Sequence, residues 1–130
     1  MIPRLRVWDK KNEKMIYAGE LYLFVFGCYK DDVWVHDVDK NHNILTRDIM
    51  QSTGLKDKNG VEIYEGDIVK VGTLDGEPVG YIEWRADIAC YQVTNYINPF
   101  GREIVSEYHT KYFEIIGNIY ENHELLEVAE

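Results

Sequence analysis

Thr53-Gly54-Leu55-Lys56-Asp57-Lys58-Asn59-Gly60-Val61-Glu62-Ile63-Tyr64-Glu65-Gly66-Asp67-Ile68-Val69-Lys70-Val71 fits two glycine-bearing turns and the start of an apolar strand into nineteen residues. The pair Asn59-Gly60 supplies positive φ at both central positions of a type I′ turn, so the chain is expected to reverse sharply after Asp57. Val61 to Tyr64 then leads to Glu65-Gly66-Asp67, a second turn at which Gly66 relieves the backbone. Ile68, Val69 and Val71 belong to the strand that follows and are expected in the core.

Outward from this stretch the same grammar repeats. Arg4-Leu5-Arg6-Val7-Trp8 alternates polar and apolar, as a half-buried strand does, and the polar run 9–13 turns it towards Met15-Ile16-Tyr17. Leu21 to Phe26 is apolar throughout and rich in aromatics, which favours a strand buried on both faces. Val33-Trp34-Val35 is another strand, and Asp37 to Asn43 is a polar loop. Over Leu45–Ser52 the pattern predicts a short helical turn with Thr46 as its cap, ending at Gly54. Downstream, Asp75-Gly76 makes a hairpin, Gly80–Trp84 returns from it, and Ala89–Val93 is a further strand. Residues 94–108 form a loop or irregular hairpin around Asn98-Pro99-Phe100-Gly101. Tyr112–Tyr120 is the last strand, with Gly117 a bulge, and Asn122 caps a closing helix carrying Leu125, Leu126 and Val128.

Short strands at regular spacing, joined by glycine-bearing turns, predict an all-β chain. We expect an N-terminal β-hairpin and meander unit over 1–52, packed on a small SH3-like barrel over 53–130, with one or two short helices. The two form one compact protein.

Composition narrows the class. Ten tyrosines and three tryptophans suit pleated surfaces, and 45% hydrophobic residues suffice for a core. No apolar run approaches the roughly 20 residues that span a bilayer, and the N-terminus lacks a signal-peptide core, so no membrane association is expected. Cys28 and Cys90 read as buried free thiols. The net charge is −9, unevenly placed: +3 over residues 1–14, −7 over 15–113 and −5 over 114–130. Such a chain resists nucleic acid, whose phosphates are held by clustered cations.

Three segments carry a family likeness. Arg6-Val7-Trp8-Asp9-Lys10 with Met15, the central Thr53–Gly60 followed by Ile63–Val69, and Glu114–Asn122 together resemble the YopX family of small proteins encoded by phages and prophages of Gram-positive bacteria. The likeness spans both ends and the middle, while 17–45 and 94–108 match poorly. One departure is His123, where the family often has proline, which bears on the cap of the last helix alone. The resemblance implies a predominantly β fold, a mobile-element origin and a place in the host bacterial cytoplasm. It brings no catalytic or binding residues. The family motif positions are Thr53, Gly54, Leu55, Asp57, Asn59, Gly60, Tyr64, Glu65, Gly66, Asp67, Gly117, Asn118 and Tyr120, and their expected role is structural.

Candidate chemistry is sparse. Asp37, Asp39, Asn41 and Asp48 echo the oxygen ligands of an EF-hand loop, but His42 stands where the sharp turn needs glycine and Asp48 where a longer glutamate gives two oxygens. A plain polar loop explains them better, and no metal or cofactor is expected. Glu62, Glu65 and Asp67 are carboxylates that also serve turns by accepting backbone N–H bonds. The histidines show no metal spacing, and Ser52 and Ser106 lack a nucleophile context. The expectation is a non-enzymatic accessory protein acting through a protein partner or as a homo-oligomer. Two alternatives stand beside it. One is nucleic-acid binding by Trp84, Tyr91 and Tyr96 near Arg85 and Arg102. The other is an acidic inhibitor of a host nucleic-acid enzyme. The basic group Arg4, Arg6, Lys10, Lys11 and Lys14 reads as solvated charge on a hairpin.

Overall fold

The structure of the chain, a computed structural model, describes residues 4–10, 12–17, 24–29, 32–37, 42–45, 49–72, 76–95 and 103–127. It is all-β: among the described residues every strand pairing is antiparallel, and the helical content is one short α-helix and one 3-10 helix. Among the described residues no helix is long and apolar enough to cross a membrane. Contacts divide the chain into two units, residues 1–51 and 52–130.

In the first unit, β1 (Leu5–Asp9) pairs with β2 (Lys14–Tyr17), Arg6 opposite Tyr17 and Asp9 opposite Lys14. The connecting turn is held by Asp9, whose carboxylate accepts the Asn12 backbone N–H at 3.3 Å and its side-chain amide at 2.8 Å. Val7 and Ile16 are buried and pack with Ile49. The alternation expected of β1 is not what its burial shows. Arg6 and Asp9 are each only 2% exposed, alongside Val7 and Trp8. β1 is an inner strand, between β2 and residues 49–51, so both of its edges are paired. Arg6 therefore leaves the solvated basic group, of which Arg4, Lys10 and Lys14 are exposed and Lys11 lies outside the described residues.

A second sheet of this unit is the meander β3 (Phe24–Tyr29), β4 (Asp32–Asp37) and β5 (His42–Leu45). Asp37 pairs with His42 and Trp34 with Leu45. Leu21 to Leu23, at the start of the apolar run, lie outside the described residues.

Of the helical turn expected over Leu45–Ser52, Leu45 and residues 49–52 are strand instead, while Thr46, its expected cap, and residues 47–48 lie outside the described residues. Leu45 ends β5, and Ile49–Lys56 is a strand, β6, whose first residues pair with β1 as Leu5 with Gln51 and Val7 with Ile49. A helix this short gains little from its own hydrogen bonds, so backbone pairing with β1 outweighs the local helical signal.

The second unit begins within β6. Ser52 pairs with Tyr64 and Lys56 with Glu62 of β7 (Glu62–Tyr64), and the register shifts between them. Then come β8 (Asp67–Val71), β9 (Val79–Arg85), β10 (Cys90–Thr94), β11 (Glu103–Ile104), α1 (Glu107–Thr110), β12 (Phe113–Asn118) and the 3-10 helix His123–Leu126. Strands β8 to β11 form a meander, and β12 returns to pair with β8, giving the order β11-β10-β9-β8-β12. The core is Ile63, Val69, Val71, Ile82, Val93, Val105 and Phe113, with Leu55, Tyr91 and Ile115 packed against it. Ile68, Val69 and Val71 are each fully buried, as the apolar run predicts. The register slips between Ile115 and Gly117, so Gly117 is the bulge the sequence marks. Cys90 is a free thiol, half-buried where full burial was expected.

Candidate functional site

The turn after β6 is built by one side chain. Asp57 is 6% exposed. Its Oδ1 accepts the backbone N–H of Asn59 and of Val61, both at 2.9 Å, and its Oδ2 accepts the N–H of Ile115 at 3.0 Å. The Gly60 N–H donates to the Asp57 carbonyl at 3.0 Å, and the Asp57 N–H to that of Val61 at 2.8 Å. Only Gly60 has a left-handed φ, +80°; Lys58 and Asn59 do not, so the expected type I′ turn is not formed. The physical reason is the Asp57 carboxylate. By accepting the N–H two residues on it makes a side-chain turn, and Gly60 alone takes the left-handed position before the next strand. The same turn seals the outer edge of β12, because the Lys58 N–H donates to the Phe113 carbonyl at 2.9 Å while Asp57 takes the Ile115 N–H.

Just upstream, Gly54 sits at φ +79° inside the register shift. The Gly54 N–H donates to Ser52 Oγ at 3.0 Å, the Leu55 N–H to Thr53 Oγ1 at 3.1 Å, and the Thr53 hydroxyl donates to the Ile63 carbonyl at 2.8 Å. These bonds turn Gly54 to Lys58 outward as one wall of an open groove. The other wall is α1 with Lys111. The groove has a volume of about 750 Å³ and is lined by Gly54, Leu55, Lys56, Asp57, Lys58, Glu107, Tyr108, Thr110 and Lys111.

Its chemistry is cationic and aromatic. The Lys111 ammonium lies 4.9 Å from the centroid of the Tyr108 ring and 5.3 Å from that of Tyr112. Tyr108 is 68% exposed and Tyr112 44%. The Tyr108 ring meets His109 edge-on at 5.3 Å, and the Ser106 hydroxyl lies 2.7 Å from His109 Nδ1. Lys58 Nζ stands 3.9 Å from Glu114. α1 begins at the end of the span 94–108 that the sequence predicts as a loop or irregular hairpin, and runs two residues past it. Its signal was present: Ser106 at the N-cap position, Glu107 in the first turn, and His109 with Lys111 at the end.

The remaining motif positions are spread through the second unit. Asp67 is 3% exposed and accepts the Tyr64 N–H at 2.7 Å. Gly66 has φ +84°; its N–H donates to the Ile82 carbonyl and its carbonyl accepts the Ile119 N–H. Asn118 Oδ1 accepts the N–H groups of Tyr120 and Glu121, and Asn122 Oδ1 accepts that of Asn118. Asn122 precedes the 3-10 helix but does not cap it by its side chain. Burial, and secondarily the negative charge of Glu65, push the Tyr91 phenol above its ordinary value of 10.0.

Of the EF-hand-like set, Asp37 closes β4; Asp39, Asn41 and Asp48 lie outside the described residues. Residues 42–45, which a calcium loop would hold in its middle, are strand β5. Among the described residues no group of three or more His, Cys, Asp or Glu side chains is arranged to hold a metal. Of the aromatic set, Trp84 and Tyr91 are neighbours, their rings edge-on with centroids 5.0 Å apart. Arg85 beside them is bound through two nitrogens to Asp87 at 3.1 and 3.2 Å and lies 3.6 Å from Glu83. Tyr96 and Arg102 are outside the described residues.

No curated protein matches the chain. Among solved structures it is similar to the crystal structure of protein EF1440 from Enterococcus faecalis, with 25% identity and a TM-score of 0.52 over 97% of this chain and 99% of that one. The family model described as YopX protein matches residues 4–127, taking in β1, the two central turns and β12 in a single span. With nearly its whole length covered by that model, the chain belongs to the YopX family.

Proposed function

We propose that this protein is a non-enzymatic accessory protein of a phage or prophage, working in the host bacterial cytoplasm through protein–protein contacts that include self-association. The observation that carries the reading is the groove beside α1, where Tyr108 and Tyr112 stand 68% and 44% exposed next to an open concave surface. Exposed tyrosine gives large contact area at low entropic cost and is enriched in interfaces. Family membership supports the mobile-element origin. A four-strand meander whose first strand takes back the last supports reading the second unit as an SH3-like barrel. The nucleic-acid reading is weaker, because Arg85 beside Trp84 is already neutralised by Asp87 and Glu83.

Tagged full-length protein and its Tyr108→Ala variant, each used as bait in infected-host lysate and each run alone in sedimentation velocity, test the reading. A protein partner or a self-associated species that weakens in the variant is the expected result. A protein that is monomeric and enriches nothing overturns it. So does a low-salt gel shift with DNA or RNA in place of protein binding.

A further inference from the structure

Residues 52–130 carry six Lys or Arg against fifteen Asp or Glu, a net −9, whereas residues 1–51 balance eight against eight. Half of the six cations in this acidic unit, Lys56, Lys58 and Lys111, line one groove. Another, Arg85, is held between Asp87 and Glu83. Of the two carboxylates in the lining, Asp57 is buried with its oxygens turned onto three backbone N–H groups, which leaves Glu107 as the exposed one. The nearest ion pair, Lys58 with Glu114, is long at 3.9 Å and solvated on both sides, and is weak for that reason. Like charges gathered on one concave surface repel until an anion meets them.

The complement lies in the chain itself. After Lys111 there is no Lys or Arg, and the remaining residues include Glu114, Glu121, Glu124, Glu127 and Glu130. Leu126, 5% exposed, anchors the 3-10 helix, while Glu121, Glu124 and Glu127 are exposed around it. Glu127 also lies 3.5 Å from His123 Nδ1. Within its own fold this segment packs on β9 and contributes nothing to the groove lining. The groove and the acidic segment are therefore complementary surfaces that one copy of the chain does not bring together.

We propose that the groove of one copy receives the Glu121–Glu127 segment of a second copy, with Lys56, Lys58 and Lys111 meeting the glutamates and Tyr108 and Tyr112 covered by the contact. Reciprocal exchange of the two surfaces closes a two-fold dimer. The inference rests on the self-association reading above and assigns its surfaces.

Analytical ultracentrifugation of the full chain over a range of concentration and salt is the test. The expected wild-type result is a dimer that weakens as salt rises. Lys56→Glu with Lys111→Glu, and separately Glu124→Lys with Glu127→Lys, each weaken self-association by about tenfold or more, with circular dichroism and melting as controls for folding. Mixing the two variants restores a heterodimer, because the acidic groove then meets a basic segment and the basic groove an acidic one. A monomeric wild type, a dimer indifferent to both variants, or a mixture that fails to pair overturns the proposal. If the wild type is monomeric yet captures a host protein that the groove variant loses, self-docking is overturned while the protein-binding reading stands. Groove-dependent binding of a single-stranded oligonucleotide by a monomer overturns both.

Discussion

At the residue scale, Asp57 joins the central turn to β12, because one carboxylate takes N–H groups from both. Asn59 and Val61 are exposed, so water replaces the carboxylate at their N–H groups, but Ile115 is half-buried. Asp57→Ala should therefore lower stability by about 3 kcal/mol, and Asp57→Asn by roughly half of that, since the amide keeps one acceptor oxygen. Urea denaturation of the three proteins measures this, and equal midpoints would show that the turn does not depend on the side chain. Tyr91 supplies a pH signature. Its phenol is raised by burial and then by Glu65, so the folded state holds the proton more tightly than the unfolded chain. Its contribution to stability is thus complete below pH about 10 and is lost as pH rises through the folded value. Ultraviolet difference titration should show one tyrosine ionising late, and Glu65→Gln should bring it part of the way back.

At the element scale, the bulge in β12 explains a glycine that no backbone angle demands. Gly117 lacks a positive φ, yet a Cβ there would lie 2.5 Å from Asn122 Oδ1 and 2.8 Å from Asn122 Cβ. Gly117→Ala must push Asn122 away and break its bond to the Asn118 N–H, at a cost of about 1–3 kcal/mol. Combining it with Asn122→Gly should remove most of that cost in a double-mutant thermal melt. A full, additive penalty would place the strain elsewhere. The sequence showed this bulge, the turns at Gly60 and Gly66, and the burial of Ile68, Val69 and Val71, because glycine and apolar runs act locally. It did not show the kind of turn at Asp57, which depends on a carboxylate reaching a strand 58 positions away. Nor did it show that residues 49–52 would be strand, a choice made by pairing with β1. The groove was illegible for a related reason: its walls come from β6 with its turn and from α1, about fifty residues apart in the chain.

At the scale of the whole molecule, the acidic charge and the groove fall in the same part of the chain. The acidic excess belongs entirely to residues 52–130, and so does the lysine-lined groove. Salt is therefore the natural variable for any measurement of association, since it weakens both the repulsion between acidic copies and the proposed groove attraction, which act on association in opposite directions. The return of β12 to β8 also has a kinetic meaning. Two strands that open and close the sheet must meet across the whole meander, and the Asp57 bond to Ile115 spans the same interval. Such non-local closure carries its entropy cost before its reward. Strands β8 to β11 are expected to assemble as a meander early on the folding route, with β12 and its seal on the late side of the barrier, so that substitutions in β12 change the unfolding rate more than the folding rate. Until that step an emerging chain shows β8 with an unpaired edge, and it is during that interval that a chaperone or a neighbouring nascent chain would find it.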